Sequence, residues 1–186
     1  MRWPRPTLSP PIRSASRRPN SSATDSWTRK RLAAVQASPT LRIFAVIAPQ
    51  GTPPVVATLD YLEEQRVPLL FPFQGSPITR GKKYVFSGMT LYDRQSKMMI
   101  DYLVGQRKVK TFAALYQDDE YGKAFLASFE KDLERHKLKL AAAESVKRGV
   151  NDVSAQIAKL QAARPQVTFP VLTPPAGAQA LISRLS

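Results

Sequence analysis

Short apolar runs alternate with stretches of helical spacing along the chain from residue 41 onward. An apolar run bounded by Pro, Gly or charged residues is typical of a buried strand. On this basis strands are predicted over residues 43–47, 67–71, 84–86, 111–116, 138–143 and 167–172. Apolar side chains three or four positions apart predict helices over 54–65, 93–106, a long stretch through 125–133, a stretch through 153–160, and 176–185.

The alternation of strands and helices predicts how the strands pair. A helix that follows a strand brings the chain back to the end of the sheet where that strand began. The next strand therefore runs parallel to the first. Strands that are apolar on both faces require cover on both faces. The predicted fold class is therefore α/β, with parallel sheets and helices on both faces. Pro170 cannot donate to a ladder, which indicates an edge strand or a bulge for residues 167–172.

Two helices have apolar faces that can be read directly. Phe125, Phe129 and Leu133 follow one another at intervals of four residues and predict a buried stripe. The apolar face of helix 93–106 is predicted to consist of Met98, Met99, Tyr102 and Leu103. Gly105 lies where that helix should end.

The net charge of the chain is +14, and it is unevenly distributed. Residues 1–42 hold nine of the 28 Lys and Arg residues and one of the 14 acidic residues. Residues 1–40 are rich in Arg, Pro and Ser and lack a hydrophobic period, which predicts a disordered basic arm. A nucleic-acid-binding or lipid-binding tail and a reading-frame artefact remain as alternatives for this arm. It lacks the apolar run of a secretory signal peptide, so no export signal is expected in the chain as written.

Motifs for catalysis and for metal binding are missing from the sequence. The chain contains no cysteine, which excludes disulfides, Cys-based zinc sites and thiol catalysis. The lone His136 is predicted to be solvated at a lysine-rich helix end, and no metal site is expected. Glycine-rich nucleotide loops and nucleophile elbows are also absent. We therefore expect neither enzymatic activity nor a bound cofactor.

Three consecutive acids, Asp118, Asp119 and Glu120, precede the long helix through Phe125. Such a cluster could bind calcium, but the ligand spacing of an EF-hand loop is absent. Acidic side chains at a helix start are stabilised by the positive end of the helix dipole. The cluster therefore predicts a helix N-terminus.

Two loops at predicted strand ends carry the residues best suited to bind a ligand. In open α/β sheets, ligands bind beyond the carboxyl ends of the strands. The loops 48–53 and 72–77 fall there, and their candidate residues are Gly51, Thr52, Gln74, Gly75 and Ser76. The first loop leads into a helix N-terminus, which favours a carboxylate. Ordinary turns between strand and helix remain the alternative.

The order of several segments is similar to that of a known family. These segments are 44–49 with 51–53, 67–72 with 75–77, 84–86, 114–123, and 151–160. The most specific is the string Tyr-Gln-Asp-Asp-x-Tyr-Gly over residues 116–122. Together they resemble the type I periplasmic solute-binding proteins of ABC transporters, in the branch that binds leucine, isoleucine and valine.

The resemblance implies two partial Rossmann-like lobes, a partial first lobe over residues 41–91 and a partial second lobe over 92–186. It implies the substrate-binding component of a branched-chain amino-acid importer, located in the periplasm and working with a membrane ABC permease. The first-lobe loops would hold the carboxylate and ammonium groups of a small amino acid, through Gly51, Thr52, Gln74, Gly75 and Ser76. Tyr121 matches a second-lobe tyrosine that faces the cleft.

Members of that family are about twice as long as this chain, so a truncated protein with an incomplete site and uncovered apolar faces is expected. Two alternatives to transport remain. One is a ligand-sensing domain of a receptor or regulator with the same fold. The other is a basic nucleic-acid-binding protein, although aromatic residues are not interleaved with the basic run and nucleic acid is not the expected partner.

Overall fold

The computed structural model describes residues 43–150 and 152–173, together with the single positions 30, 33, 34 and 37. The predicted helix over 176–185 lies outside the described residues, as does nearly all of the predicted arm. The elements follow in the order β1 Val46–Ile47, α1 Thr52–Glu64, β2 Leu69–Leu70, a 3-10 helix Pro77–Thr79, β3 Val85–Phe86, α2 Tyr92–Gly105, β4 Phe112–Gln117, α3 Glu120–Arg135, β5 Leu140–Val146, α4 Ser154–Ala162 and β6 Val167–Val171.

The described strands form two separate three-stranded sheets, and every pairing among them is parallel as predicted. The first sheet has the order β1-β2-β3, and the second has the order β5-β4-β6. Among the described strands, β6 pairs with β4 alone, so Pro170 lies on an edge strand there and the expectation for its position is confirmed. The α/β architecture with parallel sheets flanked by helices is confirmed.

In the first sheet, helix α1 packs on one face. Val55, Leu59 and Leu62 are at most 1% exposed and pack with Leu69 of β2. The described residues leave the opposite face open, with Ile47, Phe71, Phe73 and Phe86 each more than half exposed. Within the described part of the chain, this sheet therefore has the uncovered apolar surface that was expected.

The second sheet has helices on both faces. Helices α2 and α3 cover one side, where Phe129 of α3 stacks on Phe169 with ring centroids 4.1 Å apart. Helix α4 covers the other side, with Ile157 and Leu160 packed against Leu115. The predicted buried stripe of α3 is confirmed, because Phe125, Phe129 and Leu133 all lie in the core. Among the described residues, every helix is too short or too polar to cross a membrane.

The predicted apolar face of α2 was wrong for Met98 and Tyr102, whereas Leu103 packs against the core as expected. Met98 is 71% exposed and Tyr102 is 53% exposed. The buried residues of α2 are instead Tyr92, Ser96 and Ile100, at intervals of four. The small polar Ser96 interrupts this stripe in the sequence, yet it is fully buried.

The expectation of a solvated His136 was also wrong. Its Nε2 atom lies 2.8 Å from Asp101 Oδ1, and the imidazole is only about one-quarter exposed. Asp101 also pairs with Lys97 at 2.5 Å and with Arg135 at 3.3 Å. Asp101 belongs to α2, whereas Arg135 and His136 lie at the end of α3. The contacts of Asp101 with these two residues therefore connect the two helices.

We expect Asp101→Asn to lower the free energy of unfolding by about 1 kcal/mol at most, since partly exposed ion pairs are screened. The hydrogen bond from Lys97, followed by that from His136, holds the pKa of Asp101 well below its usual range. The stabilisation is therefore complete above the unfolded pKa, roughly 3.9, and is lost as pH falls through the lower folded pKa. Urea unfolding at several pH values tests this.

Asp60→Asn is the matched control, because Asp60 pairs only with Lys82 in the described residues and its side chain is 81% exposed. The control should leave the free energy of unfolding almost unchanged. If the two substitutions had equal effects at neutral pH, the contacts of Asp101 between α2 and α3 would not contribute to stability.

Candidate ligand-binding site

The loop after β1 is fixed by its backbone. Gly51 has φ of +99°, a conformation that other residues rarely adopt. Its N–H donates to the carbonyl of Phe73 at 3.1 Å, and the N–H of Phe73 donates to the carbonyl of Pro49 at 2.8 Å. These bonds extend the β1–β2 pairing and tie the loop 48–53 to the loop 72–77.

The start of α1 offers fewer donors than a usual helix N-terminus. Thr52 is the first helical residue and is followed by Pro53 and Pro54, which carry no N–H group. Among the first three helical positions, Thr52 alone can donate a backbone hydrogen bond. The expected preference of this helix start for a carboxylate therefore depends on one N–H group and the helix dipole.

Two polar residues of the second loop bond to each other. Oε1 of Gln74 accepts the N–H of Ser76 at 2.5 Å, and the Gln74 side chain is 1% exposed. Its amide nitrogen donates to Thr79 Oγ1 at 3.4 Å, while the Ser76 hydroxyl accepts the N–H of Ile78 at 3.5 Å. Gln74 and Ser76 are thus bonded within the second loop and the short helix that follows it.

The remaining loop residues converge on a tyrosine that the sequence had not indicated. Thr52 Oγ1 lies 3.1 Å from the hydroxyl of Tyr92, the first residue of α2. The backbone N–H of Tyr92 donates to the carbonyl of Gly75 at 2.6 Å. A Cβ atom on Gly75 would lie 2.5 Å from two ring carbons of Tyr92, so only glycine fits there.

The acidic cluster before α3 has the predicted role. Asp119 is the N-cap residue, and its Oδ1 accepts the N–H groups of Tyr121 and Gly122 at 3.0 and 3.1 Å. Asp118 pairs with Lys123 at 2.8 Å on the surface. The interpretation of this cluster as a helix start is confirmed.

Gln117 and Gly122 explain the rest of the specific string at this position. A Cβ atom on Gly122 would lie 1.9 Å from the carbonyl oxygen of Gln117, so the helix can approach the strand only at a glycine. The buried Gln117 side chain donates to Asp119, and its oxygen accepts the hydroxyl of Thr173 at 2.5 Å. The string thus joins β4, α3 and the segment after β6.

Tyr121 meets the first-sheet loops through Tyr92. Their rings are 5.7 Å apart in an edge-to-face arrangement. Burial raises the pKa of the Tyr121 phenol, and the neighbouring Tyr92 and Asp119 raise it further. The phenol therefore stays protonated at neutral pH and keeps its hydrogen-bond donor.

The structure thus brings together three of the six predicted site residues, Thr52, Gly75 and Tyr121, around Tyr92. Gln74 and Ser76 bond to each other within the second loop. Gly51 and Tyr121 are partly exposed, whereas the other four are buried. A periodicity of four through Ser96 was the available signal for Tyr92, but the polar serine concealed it.

A cavity of about 470 Å³ lies beside β3 and borders the loop 72–77 through Thr79 and Thr90. It is lined by residues such as Arg80, Lys82, Ser87 and Arg94, and it contains none of the six predicted residues. We place the candidate site at the two loops because Thr52, Gly75 and Tyr121 all contact Tyr92 there. Across 43–150 and 152–173, no three His, Asp or Glu side chains are grouped to hold a metal ion.

Comparison with known proteins identifies the class of molecule. The periplasmic binding protein family matches residues 32–183, so this chain belongs to that family of solute-binding proteins. Among curated proteins, it is similar to the leucine-, isoleucine-, valine-, threonine- and alanine-binding protein of Pseudomonas aeruginosa, with 28% identity over 112 residues. That match covers 59% of this chain and 30% of the relative.

Solved structures show the same fold. A substrate-binding periplasmic protein from Ralstonia solanacearum has a TM-score of 0.76 and 27% identity, over 86% of this chain and 46% of that one. A solute-binding protein of an ABC transporter from Rhodopseudomonas palustris, in complex with p-hydroxybenzoic acid, has a TM-score of 0.70 and 15% identity, over 85% and 42%. The chain thus spans less than half the length of the relatives that it matches.

Proposed function

We propose that this chain is part of the substrate-binding component of an ABC importer for small carboxylate-bearing solutes, of the branched-chain amino-acid type. It would act in the periplasm and deliver the solute to a membrane permease. In this proposal residues 41–91 belong to a first lobe and residues 92–186 to a second, and the solute lies between them. The protein binds its solute without converting it.

The observation that supports this proposal is the convergence of both sheets on one point. Thr52 and Gly75 come from the loops of the first sheet, and Tyr121 comes from the first helix of the second sheet that follows β4. All three contact Tyr92. Residues from two parallel sheets that meet at their strand ends are the usual setting for a ligand in α/β proteins.

The exposure of the site residues suggests a division of roles. Gly51 and Tyr121 are partly exposed and would contact the solute. Thr52, Gln74, Gly75 and Ser76 are buried and would hold the loops in place. The Tyr121 phenol, which stays protonated, would donate to a solute oxygen.

A carboxylate is the chemical group that the comparisons support. The curated relative is named for small neutral amino acids that include threonine, and the solved relative holds p-hydroxybenzoic acid. These solutes differ in their side groups but share a carboxylate, which the positive end of the α1 dipole would favour beside the partly exposed Gly51. Because the relatives carry as much chain again, we propose that the described residues supply only part of the contacts.

We expect Tyr121→Phe to weaken the affinity for L-leucine about tenfold, since one hydrogen bond to a charged group is lost. Tyr102→Phe is the matched control, because Tyr102 is exposed on α2 and distant from the loops in sequence. Isothermal titration calorimetry with L-leucine and with p-hydroxybenzoic acid measures both. The proposal would be contradicted if neither solute bound to the unsubstituted chain. It would also be contradicted if the two variants bound L-leucine with equal affinity.

A further inference from the structure

Tyr92 lies where the chain passes from the first sheet to the second. It is the first residue of α2, which follows β3 and leads into β4. Its side chain is buried, with 4% of the residue exposed, although it carries a hydroxyl group. A buried tyrosine at this junction can transmit the position of one sheet to the other.

On the first-sheet side, Tyr92 contacts both candidate loops. Its hydroxyl lies 3.1 Å from Thr52 Oγ1, and its backbone N–H donates to the Gly75 carbonyl at 2.6 Å. The ring lies so close to Gly75 that a Cβ atom there would be 2.5 Å from it. Neither loop can shift without moving the tyrosine.

On the second-sheet side, Tyr92 contacts the start of α3. Its ring is 5.7 Å from that of Tyr121 at an interplanar angle of 67°, and 4.7 Å from that of Phe125. Edge-to-face contacts favour particular ring orientations. The Tyr92 ring therefore packs directly against the ring that carries the Tyr121 phenol.

We infer that Tyr92 is a positioning residue for the proposed site, holding Gly51 and Tyr121 at a set separation through its bond to Thr52 and its ring contact with Tyr121. The inference rests on the proposed function, because it assigns the solute contacts to Gly51 and Tyr121. Tyr92 is buried and acts through these neighbours without touching the solute.

Ser96 provides a matched control for this role. It lies one turn after Tyr92 on the same buried face of α2 and is fully buried. Its hydroxyl has no hydrogen-bond partner within the described part of the chain. Removing an unpaired buried hydroxyl does not weaken a fold, so Ser96→Ala tests the effect of a hydroxyl that holds nothing.

The test uses Tyr92→Phe, which keeps the ring and removes the hydroxyl. We expect its affinity for L-leucine, measured by calorimetry, to fall about fivefold, and Ser96→Ala to leave it unchanged. In a Thr52→Val background, Tyr92→Phe should have no further effect, because the bond is already broken. In the ligand-free state, Tyr92→Phe should shift the NMR signals of the Thr52 and Tyr121 amides.

Two results would overturn the inference. One is a Tyr92→Phe variant that matches Ser96→Ala in affinity and in both amide signals. The other is full additivity of Tyr92→Phe and Thr52→Val. If the unsubstituted chain binds no L-leucine, the proposed function fails, and the ligand-free spectra still decide: a shift at the Tyr121 amide supports the positioning role, and an unchanged amide overturns it.

Discussion

Gly122→Ala is expected to lower the free energy of unfolding by about 3 kcal/mol, the upper end of the usual cost of overpacking. The added Cβ atom would lie 1.9 Å from the carbonyl oxygen of Gln117 and 2.8 Å from its backbone carbon and nitrogen. Backbone atoms of a central strand cannot move aside as a flexible side chain can. Helix α3 must then retreat from β4, which breaks the cap of Asp119 and displaces Tyr121.

The control for this prediction is Gly105→Ala. Gly105 is the last residue of α2, and a Cβ atom there would meet nothing within 4 Å. Alanine is the better helix former, so stability should stay level or rise by up to about 1 kcal/mol. Urea unfolding with an unchanged m-value measures both variants. If the two alanines had the same effect, the close contact between α3 and β4 would not be the reason for Gly122.

Gly75→Ala is expected to cost about 2 kcal/mol of stability and to weaken L-leucine binding more than any other loop substitution considered above. Its Cβ atom would clash with the Tyr92 ring, and that ring cannot move away freely because it packs against Phe125 and Tyr121. The loop has to lift away, and the bond between Gly75 and the Tyr92 N–H is lost. Calorimetry and urea unfolding of the same preparation give both quantities.

Gly88→Ala is the comparison for Gly75→Ala within the first sheet. A Cβ atom on Gly88 would lie 3.1 Å from Cδ1 of Phe71, whose side chain is 61% exposed and can rotate into solvent. We therefore expect a change in stability below about 0.5 kcal/mol and unchanged binding. A larger loss for Gly88→Ala than for Gly75→Ala would contradict the central position of Tyr92.

Periodicity was enough to predict the parts of the fold where packing repeats. Phe125, Phe129 and Leu133 recur every four residues and all face the core of the second sheet. Pro170 marks an edge strand because its missing N–H excludes a central position. The position of the candidate loops at strand ends was also predictable, because strands and helices alternate in the sequence.

Contacts between distant residues could not be predicted in this way. His136 looks solvated in a lysine-rich segment, but Asp101 reaches it from another helix. Gln74 resembles a ligand-binding side chain, yet its amide oxygen accepts a hydrogen bond from the N–H of Ser76. The Tyr92 stripe passes through a polar serine, and only packing of the two helices shows which side is buried. Sequence pattern records faces and ends, whereas these bonds depend on the three-dimensional arrangement.

The most direct test of the proposed site is to titrate the ¹⁵N-labelled chain with L-leucine and follow the amide signals by NMR. We predict that the largest shifts occur at Gly51, Thr52 and Tyr121, where the two sheets meet around Tyr92. Shifts confined to the cavity beside β3, at Arg80, Ser87 and Arg94, would contradict this account. Unchanged spectra at millimolar L-leucine would contradict it equally.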